Sequence, residues 1–224
     1  MRQNLDESCI RRVGHGIDRR YGPSYFYAPF LSAAIAARRD KVVPVIISAA
    51  LNEGVTPRLI DEVILQSHLF LGFPAMIEAS RIFADMMGNH RRSDRLPEAY
   101  SARECREWNV GGTAKIRKIY GSSFDRLVTY VNSFSPQILT WMINDGYGQV
   151  LSRPGASFRL RELAIVATLT VTAYENQLWA HIRGALKVGV APALIEKTIS
   201  NCRYFCPPAK ITSAQRILSK AVLS

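Results

Sequence analysis

Residues 49–64 read AALNEGVTPRLIDEVI, and residues 184–199 read GALKVGVAPALIEKTI. The two stretches are identical at eight of sixteen positions when the chain is shifted by 135 residues. The match continues more weakly at the same offset, where FLGFPAMIEASRIF at 70–83 corresponds to FCPPAKITSAQRIL at 205–218. Chance rarely produces such similarity. The sequence therefore predicts an internal duplication, and a fixed period of this kind usually decides the fold.

Each copy has the pattern of helix, turn, helix and helix. Gly54 and Gly189 stand where a helix end favours a residue with left-handed backbone. In the first copy Thr56 can cap the next helix, with Pro57 at its first position, where a missing N–H has no cost. Ala191 replaces the capping threonine in the second copy, so the corresponding helix should begin less firmly.

Two apolar stretches could be taken for strands. VVPVII at 42–47 is rich in β-branched residues, but Pro44 would remove a ladder donor, and the repeat aligns this stretch with a helix around His181. LAIVATLTVTA at 163–173 is too long for a typical strand and has no turn residues inside it. We therefore predict an all-α fold, a helical bundle of two repeats.

The chain of 224 residues divides, by this interpretation, into a basic N-terminal arm at 1–25, a degenerate first repeat at 26–90, a polar linker at 91–110, and a second repeat at 111–224. The arm lacks the apolar core of a signal peptide. No apolar run approaches the ~18 residues that a membrane span needs. A cytoplasmic protein that does not enter the membrane is expected.

The formal charge of +11 raises the question of nucleic acid. Lysine and arginine, however, occur as scattered short pairs, without a basic stripe interleaved with aromatics, a helix-turn-helix pattern or zinc-finger spacing. We expect no nucleic-acid partner. A basic surface would instead attract a small anionic substrate.

The four cysteines do not form a disulfide framework. Cys9 and Cys105 are isolated, and Cys202 and Cys206 are four residues apart, on one face if that segment is helical. A chain of this length in a reducing compartment does not need disulfides, and free cysteine behaves as a small core residue. Buried or inert thiols are expected.

Three polar residues interrupt the apolar pattern of the second copy: Glu162, Gln177 and His181. Glu162 should lie early in a helix capped by Ser157, and Asn176 can cap the next helix. Gln177 and His181 are then four residues apart and share a face. If the two helices pack side by side, Glu162 can reach the imidazole.

Such a pair admits two interpretations. A carboxylate would fix the tautomer of the imidazole and prepare His181 to exchange a proton near neutral pH. Alternatively, His181 is a satisfied core histidine, and Glu162 is an early-helix carboxylate favoured by the helix dipole. The spacing alone leaves both open.

A larger set of residues resembles the carboxymuconolactone decarboxylase-like family. In the second copy the resemblance lies in YGQVLSRPG at 147–155, REL at 161–163, QL at 177–178, HIRGAL at 181–186 and GV at 189–190. In the first copy it lies in AL at 50–51, GV at 54–55, Pro57 and GFP at 72–74. It covers about residues 28–86 and 111–218. The resemblance implies an all-α fold, an active site without a cofactor or metal, and repeats assembled in sixes.

The family has two chemical branches. In the alkylhydroperoxidase D branch, a CxxC pair opens the second helix between a glutamate and a histidine. The resemblance places Tyr174 and Gln177 where those thiols would stand, and Cys202 and Cys206 lie one helix further on with a different spacing. Without a thiolate there is no nucleophile to reduce a peroxide. The chain therefore resembles the decarboxylase branch.

The first copy lacks the polar residues. Shifting by 135 residues pairs His181 with Ile46, Gln177 with Val42 and Glu162 with Tyr27. One site per chain is expected. His68 is the first copy's conspicuous titratable residue in an apolar segment, and it could face a pocket.

The resemblance implies a decarboxylase-like or lactone-modifying enzyme acting on a small carboxylated lactone or related acid. His181 would donate the proton and Glu162 would orient it. Tyr174 and Gln177 would hydrogen-bond the substrate, and Arg153 could hold its carboxylate through a forked pair. Two alternatives stay open: a thiol-dependent antioxidant protein, and a non-catalytic oligomeric binder of small ligands. Three two-repeat chains would make six copies, so a homotrimer or a dimer of trimers is expected.

Overall fold

The computed structural model describes residues 5–14, 20–88 and 98–223. These residues form helices and connecting turns, with no β-strand among them. The α-helices are Glu7–Gly14 (α1), Ser24–Ala36 (α2), Val43–Asn52 (α3), Pro57–Gln66 (α4), His68–Met87 (α5), Ala102–Tyr120 (α6), Phe124–Asn132 (α7), Pro136–Trp141 (α8), Phe158–Thr172 (α9), Glu175–Lys187 (α10), Pro192–Asn201 (α11) and Pro208–Leu223 (α12). The predicted all-α class is confirmed.

Both β-branched stretches are helical, as predicted. The stretch at 42–47 leads into α3, where Pro44 lies in the first turn and its missing N–H has no cost. The stretch at 163–173 belongs to α9 up to Thr172, and Ala173 ends that helix in a left-handed conformation with φ of 64°.

The chain divides into two compact units, Met1–Asn89 with Gly155–Ser224, and His90–Pro154. In the second unit α6 packs along a π-helical segment, Met142–Val150. A Cβ on Gly112 would lie 2.0 Å from the carbonyl oxygen of Ile143, and one on Gly148 would lie 2.3 Å from that of Trp108. The two backbones approach so closely that only glycine fits at both positions.

Helices of the first unit recur at the offset of the sequence match. Shifting α4 by 135 residues gives the bounds of α11, Pro192–Asn201. The same shift superposes α2 on α9 in sequence, α3 on α10, and the later part of α5 on α12. The helical order that the duplication predicts is therefore present twice, while the family of the repeat stays a prediction.

The centre of the first unit is the pair α2 and α9, which pack against each other. Every residue from 26 to 35 in α2 and from 160 to 171 in α9 is buried. Helices that are apolar on all sides have no stripe to expose and are stable only when surrounded. Here α9 is covered within the chain by α2, α10, α11 and α12.

The predicted turn chemistry is observed around α4 and α11. Gly54 and Gly189 have left-handed φ values of 83° and 84°. The Thr56 hydroxyl accepts a hydrogen bond from the Leu59 N–H at 3.2 Å, whereas Ala191 offers no side-chain cap. The predicted Asn176 cap is wrong. The turn after α9 is only two residues long, so α10 begins at Glu175 and leaves Asn176 inside its first turn.

Parts of the predicted domain division fall on structured elements. The N-terminal arm contains α1, whose Ile10 is fully buried, and the Asn52 side chain donates to Glu7 at 2.7 Å. The boundary drawn at residue 110 lies inside α6. Most of the linker's first half, 91–97, lies outside the described residues. Compact units follow contacts and repeats follow similarity, so the repeat boundaries stay a prediction.

Within the described residues, no single helix has the length and apolar composition to cross a membrane. The α4 and α5 helices reach both only as a pair, bent by 119°.

Candidate active site

Glu162 and His181 are in direct contact. Ser157 caps α9 by accepting from the Leu160 N–H at 3.3 Å, as predicted, and this sets Glu162 in the first turns of the helix. The α10 helix packs along α9. Nδ1 of His181 lies 2.9 Å from Oε2 of Glu162. Glu162 is fully buried and His181 is 7% exposed, so the contact is shielded from water.

This contact fixes which nitrogen exchanges protons. An ionised carboxylate can only accept, so Nδ1 of His181 carries the hydrogen. Nε2 makes no hydrogen bond to any described residue of the protein. It is an acceptor in the neutral imidazole and a donor in the charged one. The geometry therefore offers one oriented, unpaired nitrogen for proton transfer.

Phe70, on the first turn of α5, packs on the same imidazole. Its ring is 5.2 Å from the His181 ring, at an angle of 83°. The turn that carries Phe70 ends at Gly72, whose φ of 76° and ψ of 171° interrupt α5. Sequence reasoning did not identify Phe70. Its identity with Phe205 in the repeat marked the position, but nothing local connected it with His181.

Gly184 makes room for the carboxylate. A Cβ at this position would lie 3.3 Å from Oε1 of Glu162 and 3.4 Å from its carboxyl carbon. Oε1 is buried and has no hydrogen-bond partner among the described residues. The first copy has Ala49 at this position and Tyr27 opposite it. The second copy alone is therefore shaped for a buried carboxylate.

A cavity of about 630 Å³ opens beside Phe70. It is bounded by the end of α2, the start of α3, α5, and the turn between α9 and α10. Most of its lining is apolar, and Tyr174, which is 61% exposed, belongs to its wall. Among the residues predicted to contact substrate, Tyr174 is therefore at a cavity that Phe70 joins to His181.

The other predicted residues lie elsewhere. Gln177 is exposed near the start of α10, while His181 four residues later is buried. Arg153 belongs to the second compact unit, in the turn after the π-helix, where its N–H donates to the Val150 carbonyl at 3.2 Å. His68 does not line the cavity: its Nδ1 is 2.7 Å from the Leu65 carbonyl and its ring stacks on Phe73. The roles of Gln177 and Arg153 stay predictions.

The thiols are unsuited to act as nucleophiles. All four cysteines are free. Burial raises the pKa of the Cys202 thiol well above its usual range and also raises the pKa of the Cys206 thiol. Cys202 donates to the Thr198 carbonyl at 3.4 Å. A thiol with a raised pKa is protonated at neutral pH and does not attack. Across the described part of the chain, His, Cys, Asp and Glu form no cluster of three that could hold a metal.

A buried ion pair beside the site was also missed. Arg161, next to Glu162 on α9, contacts Glu62 of α4 at 2.8 Å, and its side chain is 1% exposed. Gln66 accepts from the same guanidinium at 3.1 Å. The signal was a second charged residue inside an apolar helix, because such a charge needs a partner. Its partner lies 99 residues away, and the sequence pattern does not give that contact.

No protein-family model matches the chain, and no curated protein matches it significantly. The resemblance to the carboxymuconolactone decarboxylase-like family accordingly depends on the residues quoted above.

Proposed function

We propose that the protein is a decarboxylase-like or lactone-modifying enzyme that uses His181 to transfer a proton. The observation that carries the proposal is the buried contact of 2.9 Å between Glu162 Oε2 and His181 Nδ1, which leaves Nε2 unpaired. A histidine held in this way is a suitable general acid or base. The residues that resemble the decarboxylase branch favour a carboxylated lactone or related acid as substrate.

In the proposed decarboxylation, the bond between a substrate carbon and its carboxylate breaks. Carbon dioxide leaves, and the electron pair stays on the carbon. The charged imidazole then gives its Nε2 proton to that carbon, and a C–H bond forms. Glu162 keeps the ring oriented and stabilises its positive charge. A positioned proton donor of this kind contributes about 10²–10⁴-fold in rate. Tyr174 and Gln177 are proposed to hydrogen-bond the substrate.

The test is a screen of carboxylated lactones and keto acids in heavy water, followed by NMR. The expected result is loss of carbon dioxide with one deuterium at the former carboxyl-bearing carbon. His181→Asn should lower kcat/KM by about 10²-fold or more, because it removes the proton donor. Glu162→Gln should lower it less, because the ring stays but is less firmly held.

His68→Asn is the matched control, since it makes the same substitution at a histidine outside the cavity. It should leave turnover unchanged. Circular dichroism melting of each variant separates loss of function from loss of fold. Turnover of His181→Asn at the wild-type rate would contradict the proposal. Peroxide reduction that is lost in Cys202→Ser would favour the thiol-dependent alternative, which the raised thiol pKa values argue against.

The cavity beside Phe70 supports a second candidate, a non-catalytic binder of small ligands. A volume of about 630 Å³ is in the range of small-molecule sites. Retained binding with no turnover of any carboxylated lactone or keto acid would favour this alternative.

A further inference from the structure

The cavity and the Glu162–His181 pair share one residue. Phe70 lines the cavity and also packs edge-on against His181, which is not part of the lining itself. Tyr174 lies on the cavity wall and immediately precedes α10, the helix that carries His181. A molecule in the cavity is thus separated from the imidazole by a single aromatic ring.

The lining indicates what the cavity accepts. Its apolar wall includes Ile35, Val43, Leu71 and Ala79. Burial of alkyl or ring carbons against such a wall is favourable by about 0.8 kcal/mol per CH₂. A small polar molecule would leave most of this surface uncovered.

Charges around the cavity do not select an ion. The lining contains Arg38 as well as the carboxylates of Asp40 and Glu78, and Glu78 is paired with Arg81 at 3.2 Å. Arg38 and Tyr174 supply hydrogen-bond donors that a carbonyl oxygen could accept. The wall thus suits a neutral apolar body with a carbonyl group.

We infer that this cavity binds the apolar body of a substituted lactone, and that Phe70 is the positioning residue between that body and His181. The inference rests on the proposed function and names its substrate class: a lactone with an alkyl or ring substituent rather than a small polar one. Phe70 must shift for the lactone carbonyl to reach Nε2. Its short helical turn, ended by the break at Gly72, is the segment that would move.

Two lactones of the same ring chemistry test the binding. Titration calorimetry would compare γ-decalactone, which has a hexyl chain, with γ-valerolactone, which has one methyl group. We expect the first to bind at least about tenfold more tightly, because several more CH₂ groups are buried. Ala75→Phe, which fills the cavity, should abolish the difference. Ala193→Phe, at an exposed position on α11, should preserve it.

Chemical modification tests the role of Phe70 without turnover. Diethyl pyrocarbonate acylates an unprotonated imidazole nitrogen, and peptide mass spectrometry measures this at His181. We expect γ-decalactone to slow the reaction at His181 and γ-valerolactone not to slow it. Phe70→Ala should speed it several-fold, whereas Phe205→Ala, the counterpart in the other repeat, should not.

Equal affinity for the two lactones, or unchanged binding in Ala75→Phe, would overturn the cavity assignment. An unchanged rate at His181 in Phe70→Ala would overturn the role of Phe70. The comparison of lactones and the protection of His181 are both made on the wild-type chain, so they stand even if a variant fails to fold. Binding and protection without turnover would leave this inference intact and contradict the proposed function.

Discussion

At the residue scale, Tyr27 shows what happened at the first-copy position that corresponds to Glu162. Its side chain is 3% exposed, and its hydroxyl has no hydrogen-bond partner among the described residues. Burial, assisted by nearby Glu53, raises the pKa of this hydroxyl to about 12. An unpaired buried hydroxyl is unfavourable, so this position carries a cost where its counterpart carries a possible function.

We expect Tyr27→Phe to stabilise the protein by about 1 kcal/mol near neutral pH, because it removes that hydroxyl. Between pH 10 and about 12 the unfolded chain loses the tyrosine proton while the folded chain keeps it. The unfolded state then binds fewer protons, so stability falls as pH rises through this window. Tyr27→Phe should lose less stability over the same window.

Urea unfolding at about pH 8 and about pH 11 measures both effects. Tyr130→Phe is the control, since Tyr130 is 67% exposed and its hydroxyl is not buried. If Tyr27→Phe destabilises the protein near neutral pH, the hydroxyl has a partner, and this account of the position is wrong.

The candidate residues were predictable to different degrees. Glu162 and His181 stood out because polar residues in an apolar repeat need partners, and helical spacing with the Ser157 cap placed them on neighbouring elements. Phe70 could not be found in this way. It is an ordinary aromatic residue in sequence, and only the packing of α5 against α10 gives it a role. Gly184 was part of the motif, but its contact with the carboxylate required the structure.

At the scale of elements, the duplication predicted most of the first unit. Periodicity, the turn glycines and the Thr56 cap gave α3, α4, α10 and α11, because these signals are local. The pairing of α2 with α9 is a long-range contact between equivalent helices, and no local signal specifies it. The π-helical segment of the second unit was also not foreseen, since its register depends on the close approach of Gly112 and Gly148 to neighbouring backbone.

The Arg161–Glu62 pair joins α9 of one copy to α4 of the other. We expect Glu62→Gln to destabilise the protein by about 3–5 kcal/mol, because it leaves a buried guanidinium without its counter-charge. The double variant Arg161→Met with Glu62→Leu should cost less than the single one, since no charge then stays buried. Denaturant midpoints of the three proteins measure this.

Glu107→Gln provides the comparison, because it breaks the Arg103–Glu107 pair, whose side chains are 82% and 60% exposed. That midpoint should not move, since exposed pairs contribute little. A Glu62→Gln variant as stable as wild type would mean that the buried pair does not hold α4 to α9.

At the scale of the whole molecule, assembly is predicted from the two-repeat resemblance. Part of the original reason does not hold, because α9 is already covered within its own chain. A different surface supports association. Phe73 and Ile77 of α5 are 63% and 55% exposed and four residues apart, hence on one face. Neighbouring exposed apolar residues often mark a protein interface.

We therefore predict a homotrimer, or a dimer of such trimers, with closed symmetry. Its interfaces should bury more than ~2,000 Å², as obligate assemblies do. One chain has a mass of 25.1 kDa, so light scattering coupled to gel filtration at low micromolar concentration should give three times that value or a multiple of it. Ile77→Lys places a charge in the proposed interface and should reduce the mass to that of one chain. Val222→Lys, at a residue of α12 that is 49% exposed, should leave the mass unchanged. A wild-type monomer would remove the assembly from the resemblance. The contact between Glu162 and His181 would be unaffected, because both residues belong to one chain.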